Sequence, residues 1–449
     1  MPTKSFSLKI NRSIKPYKKS ITVDSDKSLS IRSFLIGSIS QGISEAKNVL
    51  ESQDVFSTID SLKKLGVKIK RKKLKSYFIY GKGIGSLFAK KNLKLNFGNS
   101  GTLARLLIGI LSTTPDIEVF IKGDSSLNKR NMKKLIDLMS EFGAEFYPKN
   151  KFNFPIKLIS TEMPVGIKYK SGVSAQLKSA VMLAGLNSFG VTEIIEEKRS
   201  RDHTENILKQ NKRIIKIENK EKKIIKIYGK GFLKSFKLNI PGDPSSASFF
   251  AALTILLKKN SSLKIKNVGL NPTRIGFYLL LKKHGAKISF SNMKKNYNEI
   301  SGDISIKSSK IKPINAPKEY YVKATDEYPI LFVMAALTEG ISIFKGIQDL
   351  ANKESNRIKE MQKILRQIGI KSNATKDSIK VYGKNYIKSK YKKINVPNTG
   401  DHRICMSAVI LSLVTGIETN IKNFETVYTS APSFLKIVKS LGGNFEIKS

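Results

Sequence analysis

The amino-acid sequence predicts an α+β protein of two domains, each built from three similar subdomains. Five segments of the 449-residue chain share one pattern, an apolar helical stripe that ends in glycine and leads into a strand. They lie at roughly even intervals, with one gap of about twice the usual length: KKLGVKI (63–69), SEFGAEF (140–146), KKHGAKI (282–288), RQIGIKS (366–372) and KSLGGNF (439–445). In the long gap, KQNKRIIKI (209–217) fits as a sixth copy that lacks the glycine.

Each copy is typical of a helix followed by a strand. Before Gly143, Leu135, Ile136 and Met139 lie at helical spacing, and glycine suits the left-handed residue that ends a helix. Three further segments predict strands that run into glycine turns: YFIYGKG (77–83), IKIYGKG (225–231) and IKVYGKN (379–385). Units of roughly 70–85 residues exceed the length of solenoid repeats, which favours compact subdomains. Two domains of this kind leave a cleft between them, a normal place for a ligand.

The segment PGDPSS (241–246) predicts the crossing from one domain to the other. Its prolines and glycine break regular structure, and Ser245 or Ser246 is expected to cap the apolar helix that follows. A plain loop and helix cap is equally consistent with these residues.

The formal net charge of +46 has two interpretations. Phosphate contacts with nucleic acid would use such a charge. However, lysine is spread through nearly every segment, and the sequence has no tryptophan, zinc finger or RNP-type aromatic motif. We therefore expect a solvated lysine-rich surface, which can steer anionic substrates, and no specific nucleic-acid partner.

Several other classes of protein and of site are disfavoured. No apolar run approaches the roughly 18 residues of a membrane helix, and the first residues lack the apolar segment of a secretory signal. A single cysteine, Cys405, cannot form an intrachain disulfide, which favours a reducing cytoplasm. The three histidines lack metal-ligand spacing, and the sequence has no GxxxxGK[ST] phosphate loop, so we expect neither a metal nor a cofactor.

Basic and polar blocks recur along the chain and predict one anion-binding site assembled from distant segments. Arginine holds phosphate or carboxylate groups through a bidentate fork, and lysine holds them as a point charge. The blocks are DKSLSIR (26–32), GNSGT (98–102), SGVSAQLKS (171–179), SRDHTE (200–205), PGDPSS (241–246), KESNR (353–357) and GDHR (400–403).

Many of these blocks precede apolar helices, so an ordinary helix start is the alternative interpretation. Ser28 or Ser30 is expected to cap the helix that contains IRSFLIGSI, leaving its N-terminal amides for an anion. Gly101 permits close approach of a ligand to the backbone. Ser174 and Gln176 would hydrogen-bond a sugar-like ring, or only the helix end.

The block KESNR gives a stronger functional signal. Lys353 and Arg357 are four residues apart at the head of a predicted helix and would share one face. Two cations at a helix N-terminus oppose the helix dipole, a cost that an anionic ligand would relieve. Asp401 and Asp326 also precede apolar helices, where simple helix-start acids are the alternative.

Taken together and in this order, the blocks resemble the 5-enolpyruvylshikimate-3-phosphate (EPSP) synthase family over nearly the full chain, and SAQLK and RDHTE are similar to its class II branch. The resemblance implies a two-domain enolpyruvyl transferase fold, an inside-out α/β barrel, with three βαβαββ-type repeats around a pseudo-threefold axis in each domain. It also implies a discontinuous C-terminal domain of residues 1–24 and 243–449, an N-terminal domain of residues 25–242, and an active site in the cleft between them.

The reaction implied by the resemblance moves the enolpyruvyl group of phosphoenolpyruvate to the 5-hydroxyl of shikimate 3-phosphate by addition and elimination. In this family pattern Asp326 accepts the hydroxyl proton, Glu354 takes part in proton transfer at C3, and Lys27 contacts both substrates. The residues implied for shikimate 3-phosphate are Lys27, Ser28, Arg32, Ser174, Ala175, Gln176, Ser200, Arg201, Asp326 and Lys353. Those implied for phosphoenolpyruvate are Lys27, Gly101, Arg130, Gln176, Arg357 and Arg403.

The sequence departs from the family pattern at three places. Asn356 stands where the family usually has Asp, Ala431 where it usually has Phe, and Thr429 where some members have lysine. The nearest alternative is the sister enzyme that acts on UDP-N-acetylglucosamine, but that enzyme usually carries a cysteine on a mobile loop, whereas Cys405 follows GDHR. We expect a monomeric cytoplasmic enzyme, without a membrane or nucleic-acid partner.

Overall fold

The computed structural model describes residues 5–219, 221–257, 260–387 and 393–448. Within these ranges lie fourteen α-helices, three short 3-10 helices and twenty-four strands. The α-helices are α1 Lys27–Ser38, α2 Gln53–Lys64, α3 Gly101–Ser112, α4 Ser125–Asn128, α5 Lys133–Glu141, α6 Ala175–Gly185, α7 His203–Leu208, α8 Pro244–Leu256, α9 Gly276–Lys283, α10 Tyr321–Ala324, α11 Tyr328–Ala336, α12 Arg357–Gln367, α13 His402–Thr415 and α14 Phe434–Leu441. The 3-10 helices are Lys318–Tyr320, Gln348–Asn352 and Phe424–Thr429.

The strands form six four-stranded sheets in the described part of the chain. They are β1 Ser7–Ile10, β2 Lys18–Ile21, β3 Gln41–Lys47, β4 Lys68–Lys73, β5 Ser76–Lys82, β6 Leu93–Asn96, β7 Glu118–Lys122, β8 Glu145–Tyr147, β9 Ile156–Ile159, β10 Lys168–Ser171, β11 Val191–Glu196, β12 Ile215–Asn219, β13 Lys223–Tyr228, β14 Lys237–Asn239, β15 Ser262–Gly269, β16 Lys287–Asn296, β17 Glu299–Lys307, β18 Asn315–Ala316, β19 Gly340–Lys345, β20 Ser372–Ala374, β21 Ser378–Gly383, β22 Lys393–Val396, β23 Glu418–Ile421 and β24 Glu446–Lys448.

The chain divides into two compact units. One comprises Met1–Asp24, Pro241–Lys294 and Ile300–Ser449, and the other comprises Ser25–Ile240 and Lys295–Glu299. Each unit has its own apolar core. We refer to them below as the discontinuous unit and the Ser25–Ile240 unit.

All six sheets repeat one plan, in which one edge strand runs parallel to its neighbour and that neighbour pairs antiparallel with the third strand. In β6-β7-β9-β8, for example, helix α3 joins the parallel pair β6 and β7. Two sheets have exchanged their first strands. Strand β2 leads into α1 but pairs with β15, and β14 leads into α8 but pairs with β3.

In the described residues, each unit contains three helices of nine or more residues that are buried along most of their length: α1, α3 and α6 in the Ser25–Ile240 unit, and α8, α11 and α13 in the discontinuous unit. Five of them begin inside one of the polar blocks, and α11 begins at Tyr328, directly after Asp326 and Glu327. These polar residues therefore lie at helix N-termini, where backbone amides favour anions.

The predicted repeat glycines are confirmed as helix-terminating residues. All five have positive φ angles, between 71° and 103°: Gly66, Gly143, Gly285, Gly369 and Gly442. Helix α7 supplies the sixth helix end, at the position without glycine. In the three YGK segments a Cβ on Gly81, Gly229 or Gly383 would overlap a backbone carbonyl oxygen of a neighbouring turn, so the repeat requires glycine there.

Two capping predictions are wrong. Asp26, and neither Ser28 nor Ser30, caps α1, accepting a hydrogen bond from the Leu29 amide at 2.8 Å. Likewise Asp243 caps α8 with Pro244 in its first turn, where the sequence analysis favoured Ser245 or Ser246. In both places the aspartate directly precedes the first helical residue, whereas the serines lie inside the helix and cannot occupy the N-cap position.

None of the helices in the described ranges combines the length and apolar character that a membrane crossing requires.

Candidate active site

Lys27 lies in the first turn of α1 and is held by an acidic residue from the next helix. Its Nζ donates to Asp54 Oδ2 at 2.9 Å, and the Asp54 carboxylate is almost fully buried. About a fifth of the Lys27 side chain stays exposed, 18%. Because α1 has no acidic residue in its first turn apart from the cap, this end of the helix is positive.

Gly101 begins α3, and two guanidinium groups converge on it. A Cβ at this position would lie 2.8 Å from Nη1 of both Arg105 and Arg130. The Arg130 side chain is oriented by Asn99, whose Oδ1 accepts from Nη2 at 2.6 Å. The absence of a side chain therefore lets both guanidinium groups approach the backbone, and two cations lie together at the start of α3.

Gln176, in the first turn of α6, is held in the same cluster. Its Oε1 accepts from Arg105 Nη1 at 2.9 Å, and its Nε2 donates to Thr102 Oγ1 at 2.9 Å. Ser174 caps α6, with its Oγ accepting from the Leu177 amide at 3.4 Å. Ser174, Ala175 and Gln176 are half-buried and stand at the helix N-terminus together.

Arg32 and Ser200, two further predicted residues of this unit, are held by buried hydrogen bonds. The Arg32 Nε donates to Thr204 Oγ1 at 2.9 Å, and its Nη1 donates to the Ser28 carbonyl at 3.2 Å. Ser200 lies in the loop before α7, where its amide and hydroxyl both donate to Glu196 Oε1, at 2.8 Å and 2.7 Å. Arg201 follows it and is half-buried.

In the discontinuous unit, Arg357 is the centre of an acidic cluster. Its Nε donates to Asp401 Oδ2 at 2.9 Å, its Nη2 lies 2.6 Å from Glu354 Oε2, and its Nη1 lies 3.5 Å from Asp326 Oδ1. Burial by itself lowers the pKa of Arg357, but the three carboxylates outweigh it and hold the pKa above its usual range. The cluster brings both predicted proton-transfer residues to one guanidinium.

The prediction that Lys353 and Arg357 share a helix face is wrong. Helix α12 begins at Arg357, and Lys353 precedes it, at the end of the 3-10 helix Gln348–Asn352. Lys353 Nζ instead donates to Asp349 Oδ2 at 2.7 Å, and the Tyr321 hydroxyl donates to the same oxygen at 2.9 Å. Carboxylates relieve the charge of Arg357 at the helix start, so an anionic ligand is not needed for that purpose alone.

The departure at Asn356 leaves Arg357 well held. Asn356 caps α12, accepting from the Lys359 amide at 3.1 Å, a role that needs an oxygen acceptor and no charge. Asp401 caps α13 through the Arg403 amide at 2.9 Å and also receives the Arg357 guanidinium. Both helix starts are therefore fixed together.

Arg403 is a buried cation with unused donors. It is 5% exposed, and its Nε and Nη1 have no hydrogen-bond partner within the described residues. Its guanidinium carbon lies 5.9 Å from the centre of the Phe249 ring. Buried donors without hydrogen bonds are costly, so this guanidinium is suited to hold an anionic group.

The described residues contain no group of three or more metal-ligating side chains that could hold a metal ion. The structure thus assembles the predicted residues in two sets. Lys27, Gly101, Arg130 and Gln176 share one set with the Arg32 and Ser200 region, and Asp326, Glu354, Arg357 and Arg403 share the other. Within the second set, the Arg357 guanidinium contacts carboxylates of a kind that can move protons, and guanidinium groups suit phosphate and carboxylate ligands.

Sequence reasoning did not single out four residues of these clusters: Asp54, Arg105 and Glu196, which lie outside the polar blocks, and Asn99, which lies inside GNSGT. Arg105 stands inside the apolar run LARLLIGIL, which was interpreted as core. Its signal was available, since an arginine four residues after a glycine helix start faces the same end of the helix. Asp54 and Asn99 act through contacts with Lys27 and Arg130, which lie 27 and 31 residues away, and local patterns do not reveal these. Glu196 is only four residues from Ser200, but no motif marked it.

Comparison with known proteins decides the family. The sequence model described as "EPSP synthase (3-phosphoshikimate 1-carboxyvinyltransferase)" matches residues 11–438. The chain belongs to the EPSP synthase family. The chain is 36% identical to the 3-phosphoshikimate 1-carboxyvinyltransferase of Zymomonas mobilis, over 98% of this chain and 97% of that protein. It is 37% identical to the enzyme of the same name from Petrotoga mobilis, over 94% and 96% of the two chains.

Solved structures agree with the family assignment. EPSP synthase from Acinetobacter baumannii is 33% identical, with a TM-score of 0.84 and coverage of 99% of this chain and 100% of that chain. The enolpyruvyl transferase NikO from Streptomyces tendae, at 12% identity and a TM-score of 0.75, shares the fold over 99% of both chains. The predictions of the enolpyruvyl transferase fold, the EPSP synthase family and a transferase are confirmed, and the sister activity on UDP-N-acetylglucosamine is not favoured.

Proposed function

We propose that this EPSP synthase family member transfers the enolpyruvyl group of phosphoenolpyruvate to the 5-hydroxyl of shikimate 3-phosphate. The products are 5-enolpyruvylshikimate 3-phosphate and phosphate. The structural observation that carries the proposal is Arg403, a buried guanidinium with unused donors near the acidic cluster of Arg357. A doubly anionic donor substrate with a carboxylate and a phosphate suits such fixed cations.

Phosphoenolpyruvate is assigned to Lys27, Gly101, Arg130, Gln176, Arg357 and Arg403. Shikimate 3-phosphate is assigned to Lys27, Ser28, Arg32, Ser174, Ala175, Gln176, Ser200, Arg201, Asp326 and Lys353. Support comes from the gathering of these residues at buried helix starts. Fixed donors that cancel substrate charge without reorganisation lower the barrier to reaction between two anions.

Proton transfer is assigned to the two carboxylates beside Arg357. In the addition step Asp326 removes the proton of the 5-hydroxyl, whose oxygen bonds to C2 of the enol while Glu354 delivers a proton to C3. In the elimination step C3 loses a proton, the C2–C3 double bond re-forms, and the bond from C2 to the phosphate oxygen breaks. The 21% and 24% exposure of the Glu354 and Asp326 side chains allows both to reach a substrate.

The two sets of residues are proposed to act on the same substrates, in a cleft between a domain of residues 25–242 and a discontinuous domain of residues 1–24 and 243–449. Support comes from how the proposed roles divide between the units. The proposed proton-transfer residues Asp326 and Glu354 lie in the discontinuous unit, and several proposed anion-binding residues lie in the Ser25–Ile240 unit. We further propose that the protein works as a monomer in the cytoplasm, without a specific nucleic-acid partner.

Phosphate release tests the proposed reaction. Purified protein is incubated with phosphoenolpyruvate and, in separate assays, shikimate 3-phosphate or UDP-N-acetylglucosamine. We expect release only with shikimate 3-phosphate, together with an enolpyruvyl product found by mass spectrometry. Release only with the nucleotide sugar would contradict the assigned acceptor, and no release with either would contradict the proposed activity.

A further inference from the structure

Four buried charged side chains form a cluster behind the loop that carries Ser200 and Arg201. Lys178 Nζ lies 2.7 Å from Glu196 Oε1 and 2.6 Å from Glu205 Oε1. Lys223 Nζ lies 3.0 Å from Glu196 Oε2 and 3.2 Å from Glu205 Oε1. The side chains of Lys178, Glu196 and Glu205 are fully buried, and that of Lys223 is 10% exposed.

The cluster is balanced in charge, with two lysines and two carboxylates. Burial by itself raises the pKa of Glu196, but the ammonium groups of Lys178 and Lys223, with hydrogen bonds from Lys178 and Ser200, lower it to about 2. Buried ion pairs often give less stability than apolar side chains of the same size. A cluster of four therefore suggests a role beyond packing.

The geometry indicates that role through Ser200. Glu196 ends β11, and its Oε1 receives the amide and the hydroxyl of Ser200, at 2.8 Å and 2.7 Å. The loop between β11 and α7 is thereby fixed at one carboxylate oxygen. Arg201 follows Ser200 in this loop, so the positions of Ser200 and Arg201 both depend on the charge and location of Glu196.

The same cluster reaches Arg32 through the neighbours of its members. Ser179 follows Lys178 in α6, and Thr204 precedes Glu205 in α7. Thr204 Oγ1 donates to Ser179 Oγ at 2.8 Å, and Arg32 donates to Thr204 at 2.9 Å and to Ser179 at 3.2 Å. The ion pairs thus hold α6 and α7 at the spacing that the Arg32 guanidinium spans.

We propose that Lys178, Glu196, Glu205 and Lys223 are positioning residues that set Arg32, Ser200 and Arg201 for the acceptor's phosphate. This inference rests on the proposed function, because it assigns the three positioned residues to shikimate 3-phosphate. The cluster itself does not touch substrate. It acts by presenting hydrogen-bond donors in place before the anion arrives, which reduces the cost of ordering the loop on binding.

The substitution Lys178→Met tests the proposal. It leaves the cluster with an excess buried negative charge and weakens the anchor of Ser200. We expect the KM for shikimate 3-phosphate to rise about 10-fold or more, while the KM for phosphoenolpyruvate and kcat change less than about 3-fold. Calorimetric binding of shikimate 3-phosphate alone should weaken by a similar factor. Lys168→Met, which removes an exposed lysine paired with Glu193, is the matched control.

Two further variants separate positioning from folding. Lys178→Met with Glu205→Gln restores charge balance while keeping Glu196 and Lys223, and should recover most of the acceptor affinity. Lys223→Met, at the rim of the cluster, should raise the acceptor KM in the same direction if Lys178→Met does not fold.

Each failure has its own signature. A lower Tm with an unchanged acceptor KM in Lys178→Met and Lys223→Met would show that the cluster only supports the fold, and would overturn the proposal. Failure of the charge-balanced double variant to recover affinity would also overturn it. If the unmodified protein neither binds nor uses shikimate 3-phosphate, the proposed function fails and this inference with it.

Discussion

The single residue with the most demanding surroundings is Arg357. It is 1% exposed and contacts Asp326, Glu354 and Asp401, so it fixes the proposed base and the proposed acid at one point. Removing the arginine would leave three buried or half-buried carboxylates in mutual repulsion, which is why it is a poor choice for testing the roles of its neighbours. Substitution of the carboxylates themselves is more informative.

Asp326→Asn should abolish the base while keeping the size of the side chain. We expect kcat to fall by about 10²–10⁴-fold, with the KM values of both substrates within about 3-fold of the unmodified enzyme. Steady-state kinetics measure both quantities. Asp60→Asn, on the exposed face of α2, serves as the control. A kcat close to that of the unmodified enzyme would exclude Asp326 as the base.

Gly101→Ala should weaken use of the donor substrate. The new Cβ would lie 2.8 Å from Nη1 of Arg105 and Arg130, so both guanidinium groups must move. We expect the KM for phosphoenolpyruvate to rise about 10-fold, with little change for the acceptor. Gly172→Ala is the matched control, because a Cβ there meets no atom within 4 Å. An equal KM for phosphoenolpyruvate in Gly101→Ala and Gly172→Ala would contradict the assignment of Gly101 to phosphoenolpyruvate binding.

Single residues show both the reach and the limit of sequence reasoning. The blocks located Lys27, Arg357 and Arg403 because charged residues beside helix starts are a local pattern. The partners that orient them were not predicted, since Asp54 and Asn99 act across folded distances. The caps Asp26 and Asp243 were missed because several polar residues compete at each helix start and only the backbone geometry selects one.

At the level of elements, periodic features were predicted well and pairings were not. Apolar stripes and terminal glycines are local, so the repeated helices followed directly from them. The exchange of β2 and β14 between two sheets depends on contacts between distant segments, which no local pattern reveals. Lys353 was wrongly placed on α12 because this helix, capped by Asn356, begins at Arg357, four residues later than the charge pattern suggested.

The ion cluster that joins β11, α6 and α7 gives a prediction about acid stability. Because the pKa of Glu196 is lowered in the folded protein from 4.5 to about 2, its stabilising contribution is complete above its ordinary pKa. That contribution is lost as the pH falls through this window. Glu196→Gln should therefore lower Tm at pH 7, by about 2–4 °C for each kcal/mol of unfolding free energy that is lost. The difference in Tm between the variant and the unmodified protein should become smaller towards pH 2.

Thermal unfolding followed by circular dichroism across this pH range measures the difference. Glu118→Gln, which removes a half-exposed carboxylate on β7, should show no such narrowing. If the difference in Tm between Glu196→Gln and the unmodified protein stays constant down to the lowest pH, the stabilising role assigned to the Glu196 charge is contradicted.

For the whole molecule, the net charge of +46 should affect the rate at which substrates reach the protein more than the rate of the chemical step. Both proposed substrates are anions, and salt screens long-range attraction. We expect kcat/KM to fall several-fold between about 20 and 200 mM KCl, with kcat nearly constant. Stopped-flow or steady-state kinetics at fixed pH measure this. A kcat/KM independent of salt would show that the charge does not steer the substrates.

The central claim is that residues of both units act on one pair of substrates. A crystal structure of Asp326→Asn with shikimate 3-phosphate and phosphoenolpyruvate tests it most directly, because the slow variant preserves both ligands. We predict phosphoenolpyruvate within hydrogen-bond distance of Arg130 and of Arg403, and the acceptor phosphate beside Ser200 and Arg201. Ligands that contact only one of the two units would contradict the account.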